Sequence, residues 1–131
     1  MSDYLYVKTC MIDSFEWGLD AVAFKEAKWR DEADSLGLEY DDSGNEWLLV
    51  SQVFIPRVLD AKDPPVKLLE EASRFIELLL QPGVDSITDI VVLRIVDNLL
   101  GYPDRWTRFR PYAGERLREI VDTQSGYYRN A

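Results

Sequence analysis

The chain of 131 residues contains no histidine. That absence removes the commonest general acid–base group and the commonest metal ligand. It holds a single cysteine, Cys10, so neither an internal disulfide nor a cysteine-rich zinc site is open to it. Cys10 is therefore read as a small buried apolar residue. A Cys–His catalytic pair and a Ser–His pair are both excluded. The seven glycines are scattered and form no phosphate-cradling loop. No stretch approaches 18 apolar residues, so no membrane-spanning helix is expected. The N-terminus lacks the basic head and apolar run of a secretory leader.

Basic residues are also scarce. Lys and Arg number 15 against 24 Asp and Glu, giving a net charge of -9. Such a chain is a poor partner for nucleic acid or anionic membranes, which reward clustered cations. It is well suited to rapid encounter with a basic protein. What the chain does contain is apolar substance: 47% hydrophobic residues and 12% aromatics, enough for one core and too many for a disordered chain. A single cytoplasmic domain, monomeric and without cofactor or metal, is the expectation.

The charge is local. Residues 1–63 hold 14 acids and 6 bases, whereas residues 64–131 hold 10 acids and 9 bases. The segment from Asp31 to Glu46 carries Asp31, Glu32, Asp34, Glu39, Asp41, Asp42 and Glu46 with no Lys or Arg. Leu36, Leu38, Tyr40 and Trp47 are interleaved with it or adjoin it. Arg105, Arg108, Arg110, Arg116 and Arg118 crowd together near the C-terminus. One reading has these acidic and basic regions facing each other or facing water. The other makes the acidic segment a surface for a basic partner, with Tyr40 and Trp47 as anchors.

Periodicity predicts an all-α fold, a single-domain bundle of five to six helices, with stacking as a short solenoid as a variant. Residues 1–45 form an acidic N-terminal part, 46–123 a helical core, and 124–131 a fraying tail. Residues 3–12 fit a helix or a strand. Ser14 to Ser35 reads as one helix, with Phe15, Leu19 and Val22 and also Trp17, Ala21 and Phe24 inward. Gly18 weakens it, and Gly37 is its C-cap. Ser43 and Glu46 have capping-box spacing, and Pro56 should kink or end the helix that follows. Asp63-Pro64 restarts a helix whose stripe is Leu68, Leu69, Ala72, Phe75, Ile76, Leu79 and Leu80. Ser86 and Asp89 cap a very apolar helix running to Leu100. A short turn over Arg105 to Arg110 and a last helix to Thr123 complete the chain. The run from Asp41 to Glu46 fails the calcium-loop test, because its glycine and its terminal acid are misplaced.

Residues 46–121 carry a resemblance. They read Glu46-Trp47-Leu48-Leu49-Val50-Ser51-Gln52-Val53-Phe54, then Ser73-Arg74-Phe75-Ile76-Glu77. Ile90-Val91-Val92-Leu93, Val96-Asp97-Asn98-Leu99 and Arg110-Pro111-Tyr112-Ala113-Gly114-Glu115-Arg116-Leu117 follow in order. This succession resembles a family of small helical bacterial domains associated with polymorphic toxin systems, contact-dependent growth inhibition immunity proteins among them. The chain departs from the pattern where Asp97 replaces the usual Glu and where Pro56 interrupts the first helix. The resemblance implies a non-catalytic immunity protein that binds a cognate toxin domain, a basic nuclease being the type expected. It transfers no catalytic residue. The alternative is a non-catalytic helical adaptor or regulatory scaffold.

Overall fold

The computed structural model describes the backbone of residues 1–130 and the side chains of residues 1–125. Among the described residues it is all-α and forms one domain of seven helices. Helix α1 spans Asp3–Ser14 and α2 spans Gly18–Ser35. Helix α3 begins as an α-helix over Asn45–Leu48 and continues as a π-helix over Leu49–Leu59. Helix α4 is Val66–Leu80. Helix α5 comprises Asp85–Ile90, a π-helical Val91–Val96, and Asp97–Gly101. Helix α6 is Pro103–Phe109, prolonged by a 3-10 turn over Arg110–Tyr112, and α7 is Glu115–Asn130.

The ambiguous first segment is helical. Ser2 caps it by accepting a hydrogen bond from the Leu5 N–H, and Tyr4, Val7, Cys10 and Met11 face the core. The helix expected over residues 14–35 is broken at Phe15–Trp17. Phe15 leaves the helix in extended geometry, and its ring stacks on Trp17 at 4.4 Å. Gly18 opens α2 because the chain doubles back tightly there. A Cβ at Gly18 would stand 2.4 Å from the Met11 carbonyl oxygen.

Gly37 does end α2 as the sequence suggests. Its φ is 68°, its N–H bonds the Asp34 carbonyl, and the Leu38 N–H reaches back to Ala33. This 6→1 and 5→2 pair is a Schellman closure. Two expected caps differ. Gly44, in left-handed geometry, precedes α3, so Ser43 and Glu46 form no capping box. Ser86 instead donates to Asp3 of α1, tying α5 to the first helix.

Pro56 does not end α3, which continues through it to Leu59. The helix widens around it, and the Asp60 N–H bonds the Ile55 carbonyl five residues back. Widening accommodates a residue that lacks an N–H and whose ring would clash with the carbonyl four residues earlier.

Helix α4 is the hub. It buries Leu69, Ala72, Phe75, Ile76, Leu79 and Leu80, and it packs on α1, α3, α5 and α7. In a solenoid each unit would touch only its neighbours in sequence. Here α1 lies on α4, so the domain is a bundle wrapped on one helix. Phe54 and Phe75 meet at 4.9 Å and Phe15 lies 5.5 Å from Phe75, which joins α3, α4 and the α1–α2 corner in one aromatic cluster. The Tyr6 hydroxyl donates to the Leu78 carbonyl near the end of α4. Helix α7 runs to Asn130, and the Tyr127 and Tyr128 side chains lie outside the described residues.

Helix α2 stands on the margin. It packs chiefly on α1 and α3, burying Ala21, Val22 and Trp29. Leu19 and Phe24, which the sequence places inward, are 60% and 69% exposed. Val22 and Trp29 are seven residues apart and set the inner face. Phe24 lies two residues from Val22, on the far side of a 3.6-residue turn.

Candidate protein-interaction surface

The acidic segment occupies the last turns of α2, the Schellman closure, the loop before α3, and the first turn of α3. The structure divides it into two sets. Asp31, Glu32, Asp34, Glu39 and Asp41 are exposed. Tyr40, Asp42, Glu46 and Trp47 are half-buried.

Within the second set, Tyr40 and Trp47 are packed against the body. Arg30 lies over the Tyr40 ring, 4.5 Å from its centroid. Burial and then the nearby Glu26 carboxylate raise the Tyr40 hydroxyl above its ordinary pKa. Glu26 in turn accepts from the Tyr4 hydroxyl at 2.9 Å and pairs with Lys8 at 3.0 Å. Burial, followed by the bond to Glu26, pushes Tyr4 strongly upward. Trp47 packs against the core with Arg94 over its ring at 5.0 Å. One Glu46 carboxylate oxygen is enclosed without a hydrogen-bond partner. Asp41 takes the N–H of Ser43 at 2.9 Å, an Asx turn that shapes the loop and lowers the Asp41 pKa.

The exposed set borders apolar surface. Leu36 is 72% exposed and Leu38 61% exposed. With Phe24 they give this region three large apolar side chains in water. A shallow depression of about 720 Å³ runs between Phe24 and Leu36 beside Asp31 and Glu32. A second, of about 400 Å³, lies between α2 and the loop and is bordered by Leu38, Glu39, Tyr40 and Asp41. The two adjoin, sharing Lys28, Glu32 and Leu36.

The C-terminal arginines do not neutralise this surface. Among the described residues the ion pairs are Lys8–Glu26, Lys67–Glu16 and Arg105–Asp60. None joins residues 31–46 to the arginines of 105–118. Arg105 instead bonds Asp60 and Asn98, both at 2.6 Å, and Arg118 donates to the Arg110 carbonyl.

Phe24 is the residue that sequence reasoning missed. Its signal was its position among Asp20, Lys28 and Asp31 on the face opposite Val22 and Trp29. Among the described residues no group of three or more acids and cysteines is placed to hold a metal ion, and no helix is long and apolar enough to cross a membrane. Comparison with protein-family models, with curated proteins and with solved structures finds no match.

Proposed function

We propose that this chain is an immunity protein, which binds a basic toxin domain in the cytoplasm and neutralises it by protein–protein contact. The observation that carries the reading is the five exposed carboxylates of residues 31–41, set around apolar side chains and left unpaired by the C-terminal arginines. A nuclease toxin is basic because it holds phosphate. An acidic inhibitor competes with that phosphate and is steered to the same surface. The resemblance of residues 46–121 to immunity proteins supports the same assignment.

The test is co-expression with the toxin domain encoded by the neighbouring upstream reading frame. Restored growth and a stable 1:1 complex are expected. Reversing Asp31, Glu32 and Asp41 to Lys should slow association and flatten its salt dependence. Absence of both rescue and complex overturns the reading, and unchanged on-rates at low salt overturn the steering role of these acids.

A further inference from the structure

Phe24, Lys28, Glu32 and Leu36 follow one another at four-residue intervals along α2. Ala27, Asp31 and Ser35 form the adjacent row. Together these two rows line the 720 Å³ depression. Ridges at i±4 spacing with a channel between them are what one helix offers another in ridge-into-groove packing. Here Ala27 and Ser35 keep the channel shallow-walled, while Phe24 and Leu36 stand at its two ends. The distance between those ends is roughly 18 Å at 1.5 Å per residue, about three helical turns.

The chemistry of the border selects the occupant. Asp31, Glu32, Glu39 and Asp41 line the two adjoining depressions, and Lys28 is the one cation among their lining residues. A second copy of this chain packed symmetrically through the same face would bring these carboxylates against their own kind. An anionic lipid surface would be repelled in the same way. A helix with Leu or Phe on one face and Lys or Arg along its flanks satisfies both the apolar ends and the acids.

We propose that the outer face of α2 from Phe24 to Leu36, continued by Leu38, is the docking surface for a basic amphipathic helix of a protein partner. Apolar side chains of that helix lie against Phe24, Ala27 and Leu36, and its cations meet Asp31, Glu32, Glu39 and Asp41. The inference rests on the reading of this chain as a binder of a basic protein, and it specifies which part of the partner is bound.

The test titrates the intact chain, followed by amide NMR shifts, with a synthetic Leu/Lys amphipathic peptide of roughly 15 residues, long enough for the three turns. Saturable shifts over residues 24–41 are expected, with affinity falling as salt rises. Phe24→Asp and Leu36→Asp should each weaken binding by about tenfold or more, the loss typical of a central apolar anchor. Both side chains are mostly in water, so the variants should keep the helical signal of the parent. Leu19→Asp is the control. Leu19 is equally exposed but turned roughly 140° from Phe24 about the helix axis, and its replacement should leave affinity unchanged.

Shifts confined to other helices overturn the proposal, as does an unchanged affinity in Phe24→Asp. So does equal binding of a Leu/Glu peptide, which removes the charge pairing. A dimer of the parent chain that Phe24→Asp dissociates assigns the face to a second copy and also overturns it. Toxin rescue that survives Phe24→Asp and Leu36→Asp together removes this face while leaving the immunity reading. Peptide binding without rescue removes the immunity reading while leaving this face.

Discussion

Gly18 and the carbonyl of Met11 are in such close apposition that no side chain fits between the end of α1 and the start of α2. A Cβ would come within 2.4 Å of the Met11 oxygen and 2.9 Å of the Ile12 Cα, both of them backbone atoms that a rotamer change cannot move. From helix propensity alone, Gly18→Ala should stabilise α2 by about 1 kcal/mol. The packing reverses the sign. Gly18→Ala should destabilise the fold by about 1–3 kcal/mol, read as a lower urea midpoint. Gly101→Ala is the control, since a Cβ there meets nothing within 4 Å. It should be neutral or slightly stabilising.

Glu77 of α4 caps α7 from outside that helix. Its Oε1 accepts the Arg116 N–H at 3.1 Å, in the first turn, where the helix dipole favours a negative charge. Glu77→Ala should cost about 1–2 kcal/mol in chemical denaturation, the range for a lost N-cap. Gly114→Ala should cost a comparable amount by another route. The new Cβ would overlap the Glu77 side chain, with Cγ only 2.4 Å away, and displace the cap.

The two α1 tyrosines predict an alkaline limit. Burial is the leading cause that raises Tyr4 and pushes Tyr6 up to about 12 from an ordinary 10. The folded state therefore holds these protons more tightly than the unfolded chain does. Their stabilisation is complete below pH 10 and declines as pH rises through 10 and beyond. Burial raises the Cys10 thiol in the same way from an ordinary 9, so thermal melts should show Tm near its neutral value up to about 8.5, a first decline through 9 and a steeper fall above 10. Tyr4→Phe and Tyr6→Phe together should flatten that fall while lowering Tm at neutral pH, since each loses a hydroxyl that bonds Glu26 or Leu78.

Phe75 is fully buried and touches both Phe54 and Phe15. Phe75→Ala should cost about 3–5 kcal/mol through lost burial and the cavity left behind. Phe75→Leu should cost distinctly less. Equal midpoints for the two variants in urea would show that the aromatic cluster does not hold α3, α4 and the α1–α2 corner together.

The hub helix was legible because its apolar positions repeat at three and four residues without interruption. Six of the seven residues in its expected stripe are buried, and Leu68 alone is half-exposed. The exposed acids were legible as a group because residues 31–46 carry no Lys or Arg. Phe24 and Leu19 were misplaced because two apolar stripes were counted on α2, whereas tertiary packing takes Val22 from one and Ala21 from the other and adds Trp29. Packing against α1 and α3 chose the stripe through Ala21, Val22 and Trp29, a choice made by other helices and invisible within residues 18–35. Pro56 misled in a similar way. A proline forbids the ordinary α-helical hydrogen bond, yet the sequence does not say that the backbone will widen and continue. Tyr40 and Trp47 were grouped with the exposed acids because charge alone does not report that Arg30 lies over one ring and Arg94 over the other.

The end of α4 has a consequence for how the chain closes on itself. Leu78 is bonded by Tyr6, 72 residues earlier, and Glu77 is bonded by Arg116, 39 residues later. Two adjacent residues thus clasp the first and last helices, and each clasp closes a long loop whose entropic cost grows with the logarithm of its length. The amino- and carboxy-terminal parts of the chain share one point of closure. A break at this single turn opens both loops together, so the two outermost helices should lose their protection from hydrogen exchange in one cooperative step.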